Sequence, residues 1–344
     1  MWWILGALAM GVIGWTLFVA NRRTFDWQPP AQAPVVVRQG CRRETVHFGA
    51  IEGWLYLPAR ARPPVILMAP GLTGIKDGIL EQFAWVFAEA GFAVLTIDFR
   101  TFGASAGMPR HWLDPQRQVE DYRTAIAALR REPRIDGDRI VLWGSSFSGA
   151  AAIAAAADGG ITAVIAQVPY LGGVPIHAPS LMQMAGYIGL TIAESAGDAL
   201  MSLVGITPKP VYITVFGRPG ERAFAMSAGN PARRGRGQTL HPFWEAAEKA
   251  QRGGWKNAML VRGLRNLDTV RAGDILPALS CPVLLIGAMQ DDMIAFGDLR
   301  AAAERLPAGS HFLPLDCGHY DPYVAPLFVE NIRAQVEFLR TVLH

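Results

Sequence analysis

The feature that most constrains the fold of this chain is the alternation of short apolar runs with longer amphipathic ones. Runs such as PVILMAP and FAVLTIDF are apolar along most of their length, which is typical of strands buried on both faces of a parallel sheet. Residues 77–91 and 114–132 place apolar side chains three and four positions apart and therefore predict helices. Strands that alternate with helices predict a mostly parallel, doubly wound α/β sheet.

The alternation is interrupted once, after an apolar run at residues 161–169. It resumes with CPVLLIGAM at residues 281–289 and continues with patterns for a helix, a strand and a closing amphipathic helix. We therefore predict a core formed by residues 44–171 and 281–344, with residues 172–280 inserted as a helical cap. Ligands of such sheets bind at the carboxyl ends of the strands, so catalytic residues are expected in those loops.

An uncharged run precedes the core. It extends from Trp2 to Ala20, and a helix of that length spans roughly 28 Å, about the thickness of the hydrocarbon core of a bilayer. We therefore predict that residues 1–27 form a single-pass membrane anchor, with residues 2–20 in the bilayer. A cleaved signal peptide is the alternative, but it favours a basic start and small residues before the cut, where this chain has Phe18.

The residues that follow the run indicate how the protein is oriented in the membrane and how the chain reaches the core. Arg22 and Arg23 come directly after it, and the positive-inside rule then places the folded body in the cytoplasm. With a signal peptide, the body would instead be secreted or periplasmic. Residues 28–43, which contain several prolines, are predicted to form a linker.

The overall charge and the cysteines argue against several classes of function. The net charge is only +3, which is too small to indicate a nucleic-acid-binding surface. The three cysteines are widely separated and have no C-x-x-C spacing, so they predict neither a disulfide framework nor a zinc site. The sequence has no glycine-rich phosphate loop and no metal-ligand cluster, and we expect neither a metal nor a cofactor.

The hexapeptide GSSFSG, residues 144–149, contains the candidate nucleophile. It lies between an apolar strand and a run of alanines, which predicts a tight strand–turn–helix in which one side chain projects above the sheet. Only Ser146 has a glycine two positions before it, Gly144, so we predict that Ser146 is the nucleophile. The second glycine of a G-x-S-x-G motif is replaced by Ser148, which is small enough for the turn to close.

A serine hydroxyl needs a base to become a strong nucleophile, and the base needs an acid to orient it. The expected chain order after a strand–turn–helix serine is acid, then histidine. Asp291 and Asp292 lie in the loop after the strand that resumes the core, and His319 follows the final strand. Both loops leave carboxyl ends of strands, so these side chains are expected to meet that of Ser146.

Acyl transfer also requires hydrogen-bond donors for the oxyanion. One donor is expected to be the backbone N–H of Phe147, which follows the nucleophile at the start of a helix. The loop MAPGLTG after the first long parallel strand should supply the other, and the N–H of Leu72 is best placed there.

Together these residues resemble the α/β-hydrolase superfamily, over nearly the whole core from about residue 44. The chain is most similar to a bacterial and fungal branch related to acetyl-xylan esterases, X-prolyl peptidase-like hydrolases and polyketide-processing hydrolases. The matching stretches are GLTGIKD, GFAVLTIDFRTFGASAG, DPQRQVEDYRTAI, RIVLWGSSFSGA, VIAQVPYLGG and CPVLLIG. The resemblance implies the α/β-hydrolase fold and a triad of Ser146, Asp291 and His319.

The resemblance also favours one aspartate and exposes departures from the family pattern. Asp291 is preferred over Asp292 because DDMIA fits the family's frame from its first aspartate. The family's His-Gly before the oxyanion loop is Pro70-Gly71 in this chain. The loop DFRTFGASAG resembles a family loop in which Asp98 and Arg100 are predicted to be structural.

We therefore expect a serine hydrolase that cleaves a carboxylic ester through an acyl-enzyme. The methionines and aromatic residues of the insertion, among them Phe216 and Trp255, predict an apolar cap core, a few of whose side chains line an acyl pocket. An acyltransferase, an amidase or a peptidase would use the same triad. A membrane-tethered, non-catalytic binding protein that docks partners on its cap is a further alternative.

Overall fold

The computed structural model describes residues 28, 30–173, 189, 192, 210–217, 225–226 and 254–343. The anchor predicted for residues 1–27 lies outside these ranges, as does most of the predicted cap. Across the ranges given, no helix combines the length and the apolar character that crossing a bilayer requires.

Strands and helices alternate along the described chain as the sequence predicts. The strands are β1 (Val36–Arg38), β2 (Cys41–Phe48), β3 (Ile51–Leu57), β4 (Pro64–Ala69), β5 (Ala93–Ile97), β6 (Asp136–Ser145), β7 (Ala163–Gln167), β8 (Tyr212–Ile213), β9 (Phe216–Gly217), β10 (Ala225–Met226), β11 (Met259–Leu260), β12 (Val283–Ala288) and β13 (His311–Leu315). The α-helices are α1 (Leu80–Glu89), α2 (Pro115–Leu129), α3 (Phe147–Ala156), α4 (Ala272–Ile275), α5 (Phe296–Ala303) and α6 (Leu327–Val342).

Nine of these strands form one sheet, in the order β1-β2-β3-β5-β4-β6-β7-β12-β13. The pairs from β5 through β13 are parallel, whereas β1, β2 and β3 pair antiparallel with their neighbours. The predicted, mostly parallel sheet is therefore confirmed. Because parallel strands end at a common edge, the loops that follow β4, β6, β12 and β13 meet on one side of the molecule.

Apolar side chains cover both faces of the sheet. Within β4, Val65 and Leu67 belong to one buried cluster and Ile66 and Met68 to another, because successive side chains of a strand point to opposite faces. Side chains of α2, α3 and α5 pack into the first cluster, and those of α1 and α6 into the second. Helices on both faces make the sheet doubly wound, as predicted.

The linker predicted for residues 28–43 is wrong from residue 36 onward. The strand Val36–Arg38 pairs antiparallel with the first residues of β2, and Cys41 at the start of β2 is buried. Prolines end at Pro34, after which β-branched valines favour an extended, paired chain over a free spacer.

The described parts of the insertion pack against the core. β8 and β11 pair antiparallel, and Phe216, Trp255 and Met259 are buried in the cluster that also holds α2 and α3. Two 3₁₀ segments, Val261–Asn266 and Leu276–Ala278, flank α4 near the return to the sheet. The helices predicted for the cap fall mainly on residues outside the described ranges, and the boundaries 172 and 280 stay a prediction.

Candidate active site

Ser146 occupies the sharp turn between β6 and α3. Its backbone φ is 53° and its ψ is −117°, a conformation that costs a non-glycine residue about 1–3 kcal/mol. The turn is tight on both sides: a Cβ at Gly144 would lie 2.5 Å from the carbonyl oxygen of Ser148, and one at Gly149 would lie 2.5 Å from Cβ of Pro169. The predicted strand–turn–helix is present, with Ser146 at its apex.

Ser148, which replaces the second glycine of the motif, helps to hold this turn. Its side chain is fully buried, and its hydroxyl donates to the carbonyl of Ala69 at the end of β4, at 2.9 Å. The same oxygen accepts the N–H of Ser145 at 2.9 Å. The hydroxyl therefore ties the turn to the neighbouring strand, which a glycine could not do.

The structure brings the side chains of Ser146, His319 and Asp291 together. Nδ1 of His319 lies 2.7 Å from Oδ2 of Asp291, and because a carboxylate can only accept, Nδ1 carries the proton. Nε2 is then free to accept, and it lies 3.1 Å from Oγ of Ser146. The other carboxylate oxygen, Oδ1, accepts the N–H groups of Met293 and Ile294, both at 2.8 Å, which fixes the plane of the acid.

Asp291, and not Asp292, makes the hydrogen bond to His319. Burial is the largest influence on the imidazole and lowers its pKa, but the charge and hydrogen bond of Asp291 and the charge of Asp292 act in the opposite sense. The net result is a pKa of His319 above its ordinary value. An imidazole beside a buried carboxylate is thereby suited to accept a proton and to hold the resulting charge.

The two expected oxyanion donors lie on either side of Ser146. Phe147 is the first residue of α3, so its N–H has no acceptor within the helix. On the other side, a Cβ at Gly71 would lie 3.1 Å from the carbonyl oxygen of Ser145 and 3.4 Å from Cβ of Ser146, so the β4 loop runs directly against the turn. Leu72, which follows, is buried and lines the same pocket as Ser146.

A pocket opens above Ser146 and His319. Its described lining comes from the β4 loop, the start of α1, the loops of Asp291 and His319, and the insertion. Apart from His319, none of these described lining residues carries a titratable charge at neutral pH. Phe216 and Trp255 line the pocket, which confirms that some aromatic residues of the insertion face it. The described part of the chain contains no cluster of histidine, cysteine and acidic residues that could bind a metal ion.

Residues 66–331 match the sequence pattern of the alpha/beta hydrolase family. The chain belongs to this family. The mostly parallel sheet and the position of the serine turn agree with the resemblance noted from the sequence.

Three curated relatives match this chain over nearly the whole of their own lengths. The quorum-quenching protein AidA of Acinetobacter baumannii (strain MDR-ZJ06) is 30% identical over 84% of this chain and 90% of its own. The thiohydrolase apmlB of Arthrinium phaeospermum is 29% identical over 84% of this chain and 92% of its own. The polyketide transferase ATR5 of Stachybotrys chlorohalonatus (strain IBT 40285) is 26% identical over 90% of this chain and 99% of its own.

A solved structure shares the fold. DcsB, in a complex with its substrate analogue, superposes with a TM-score of 0.72 at 24% sequence identity. The alignment covers 87% of this chain and 99% of that chain. The comparison therefore supports the fold assignment.

A buried lysine, Lys76, that was not predicted from the sequence binds the β4 loop to neighbouring acidic side chains. Nζ of Lys76 lies 2.5 Å from Oδ2 of Asp98 and 2.9 Å from Oε1 of Glu52, and the lysine side chain is only 4% exposed. Its backbone N–H also donates to Oδ1 of Asp98, at 2.7 Å, and the N–H of Ala104 donates to Oδ2 at 2.9 Å. The only hint of this ion pair in the sequence was the presence of a charged residue, Lys76, within the stretch GLTGIKD.

The side chains of Asp98 and Arg100 bind other parts of the fold, which agrees with the structural roles predicted for them. Asp98 joins the β4 loop to the loop after β5, where a Cβ at Gly103 would lie 2.2 Å from the Asp98 carboxylate. The guanidinium of Arg100 binds Asp121 of α2 and lies 2.7 Å from a carboxylate oxygen of Glu120. Burial raises the pKa of Asp121 to about 6, against the opposing influence of Arg100.

A buried hydrogen-bond network beneath the serine turn was also missed. The hydroxyl of Ser145 bonds that of Tyr323, which lies in the 3₁₀ turn after His319. Oε1 of Gln167 at the end of β7 accepts from Asn331 at 2.6 Å and from Gln335 at 2.9 Å, both on α6. This network joins the serine turn, the histidine loop and α6, and single polar residues in apolar segments were its only sequence signal.

Proposed function

We propose that this protein is a serine hydrolase that transfers an acyl group from an ester to water through an acyl-enzyme. The observation that carries the proposal is the chain of hydrogen bonds from Asp291 through His319 to Ser146, at 2.7 and 3.1 Å. It lies at the floor of a pocket whose other described lining residues are uncharged. Ser146 is the nucleophile, His319 the general base and Asp291 the orienting acid.

The geometry supports a reaction in which His319 accepts each proton from the attacking group and passes it on to the departing one. His319 Nε2 takes the proton of Ser146 as Oγ attacks the acyl carbonyl, and the N–H groups of Leu72 and Phe147 stabilise the oxyanion. The charged imidazole, stabilised by Asp291, then gives this proton to the leaving group as the acyl-enzyme forms. Water then gives a proton to Nε2 of His319 as it attacks the acyl carbonyl, and His319 returns that proton to Oγ of Ser146 as the bond to Oγ breaks and the carboxylic acid leaves.

Neutral, apolar acyl groups carried as oxygen esters or thioesters are the proposed substrates. The uncharged lining, which includes Phe216, Trp255 and Met293, supports an apolar acyl group. The similarity to proteins named thiohydrolases supports the thioester, because a thiol leaving group departs from the same tetrahedral intermediate. The identity of the leaving group does not alter the roles of the triad.

A fluorophosphonate probe tests the nucleophile. The wild-type protein is expected to be labelled, and Ser146→Ala should lose labelling and at least about a thousandfold of kcat, because it removes the hydroxyl that lies 3.1 Å from Nε2 of His319. Ser148→Gly is the matched control: it restores the usual glycine two residues further on and should still be labelled. Labelling of Ser146→Ala at the wild-type rate would reject the assignment.

The leaving group is tested with paired substrates. p-Nitrophenyl esters of graded chain length and N-acetylcysteamine thioesters with the same acyl groups should both be hydrolysed, with kcat/KM rising along the apolar series as the pocket fills. A flat chain-length profile would contradict the apolar pocket as the acyl site.

Acyl transfer to an alcohol is the second candidate. It is favoured by the similarity, over nearly the full length of both chains, to a protein named polyketide transferase. Adding a small alcohol to the ester assay and measuring the ratio of ester product to acid product separates the two. Ester product in excess of the ratio that the molarities of alcohol and water predict would favour the transferase.

For location, we propose that residues 2–20 anchor the protein in a membrane with its body in the cytoplasm. The support is the uncharged run and the arginines Arg22 and Arg23 that follow it.

A further inference from the structure

Trp255, in the insertion, makes a hydrogen bond to the loop that carries an expected oxyanion donor. Its side chain is buried, and the indole N–H donates to the carbonyl of Thr73 at 3.0 Å. Thr73 directly follows Leu72, whose N–H is the expected donor. Trp255 also lines the pocket, as do Leu72 and Gly74 on either side of Thr73.

The loop needs such support because its backbone conformation is unfavourable. Thr73 has a φ of 53°, in the left-handed region that β-branched residues rarely adopt. A Cβ at Gly74 would lie 2.9 Å from Cβ of Pro70, and the N–H of Gly74 donates to the carbonyl of Gly71 at 3.0 Å, so the turn is tight. A strained turn keeps one conformation only where its surroundings hold it.

Two sets of hydrogen bonds hold the turn, one just after it in the chain and one within it. Beyond it, the backbone N–H and the ammonium of Lys76 both bind Asp98. Within it, the carbonyl of Thr73 accepts from Trp255, 182 positions away in the chain. The first contact belongs to the core alone, whereas the second depends on the insertion.

We propose that Trp255 is a positioning residue for the oxyanion site: its indole N–H holds Thr73, and thereby the N–H of Leu72, in the orientation that stabilises the tetrahedral intermediate. The inference rests on the proposed function. It makes the insertion part of the chemistry as well as a wall of the pocket, because the insertion supplies the group that fixes the donor.

The test separates the N–H from the ring. Trp255→Phe keeps an aromatic wall and removes the donor, and kcat is expected to fall by about tenfold or more, since losing an oxyanion donor outright costs about 10²–10³. KM should stay within about twofold, because a donor used only in the transition state does not contribute to substrate binding. Phe216→Leu is the matched control, a neighbouring pocket-wall residue whose replacement should act on KM.

A second readout reports on the oxyanion itself. A trifluoromethyl ketone forms a tetrahedral adduct with the nucleophilic serine, and its Ki should rise in Trp255→Phe in parallel with the loss of kcat/KM. The corresponding secondary alcohol cannot form the adduct, and its Ki should be unchanged. A merely structural tryptophan would weaken both inhibitors alike.

The outcomes distinguish this inference from the proposed function. An active wild type, together with a Trp255→Phe variant that keeps its kcat or changes only its KM, would overturn the inference and leave the hydrolase proposal standing. A wild type that is neither labelled nor active would overturn both. If Trp255→Phe does not fold, benzothienylalanine at position 255, introduced by amber suppression, keeps the ring shape without the N–H and gives the same comparison.

Discussion

At the scale of single residues, the site depends on side chains whose surroundings override their local preferences. Ser146 and Thr73 both have positive φ, at 53° each, in the turns that follow β6 and β4. Ser148, Trp255 and Lys76 supply the contacts that hold these two turns. Strain of this kind is found where a rigid surrounding structure stabilises a reactive arrangement.

The acid limb of the pH–rate profile should report the pKa of His319. The imidazole must be neutral to accept the proton of Ser146, so kcat/KM is expected to fall as the pH drops through that pKa. Because the pKa is raised above its ordinary value, the fall should begin at a higher pH than for an unperturbed histidine. Asp292→Asn removes one of the charges that raise it, and should move the acid limb to lower pH with the plateau retained.

Asp298→Asn is the control for that shift. Asp298 is an exposed acid of α5 and is not among the charges that raise the pKa of His319. Its replacement should leave the pH dependence of kcat/KM unchanged. An acid limb that stays put, or moves to higher pH, in Asp292→Asn would show that Asp292 does not act on the imidazole.

At the scale of elements, the β4 loop is joined to the end of β5 by a buried ion pair. The side chains of Lys76 and Asp98 are 4% and 1% exposed, so removing one partner leaves a charge without compensation in the interior. Lys76→Met should therefore lower the free energy of unfolding by about 3–5 kcal/mol. Urea denaturation followed by far-UV circular dichroism measures the loss.

Arg123→Met provides the matched control for Lys76→Met. Arg123 pairs with Asp158 at 2.6 Å, but both side chains are 50% exposed, so water compensates the loss. Exposed pairs contribute about 0–1 kcal/mol, and the variant should stay within that range. Equal destabilisation by the two substitutions would contradict the role given to burial.

At the scale of the whole molecule, the sheet brings distant segments to one edge. Four parallel strands, β4, β6, β12 and β13, lie side by side or one strand apart. The loops that follow them therefore begin at the same edge, and these loops carry Leu72, Ser146, Asp291 and His319. The described part of the insertion closes over this edge through Phe216 and Trp255. The site is therefore assembled from four strand ends and one insertion.

The membrane anchor is tested by fractionation. The full-length chain should be found in the membrane pellet, should resist extraction with high salt and alkaline carbonate, and should be released by detergent, because a spanning helix is held by apolar burial. A chain lacking residues 1–27 should be soluble. A full-length protein that is wholly soluble and uncleaved would end the proposal, and cleavage near residue 20 would favour the signal peptide.

The amino-acid sequence was sufficient for the order and type of the elements of the core. Fully apolar strands and amphipathic helices have local periodicities, and these predicted the parallel sheet with helices on both faces. The chain order of Ser146, Asp291 and His319 was likewise visible, and the structure brings their side chains together. The edge strand at residues 36–38 was missed because three residues next to prolines carry too little periodicity to separate strand from spacer.

Only the tertiary structure decided how the site is supported. The bond between Trp255 and Thr73 joins residues 182 positions apart, and that between Ser145 and Tyr323 joins residues 178 apart. No local pattern encodes such contacts, because each depends on how the chain is brought back over the sheet edge. Local periodicity selects elements, whereas the positions of single polar groups are set by packing between segments that are remote in sequence.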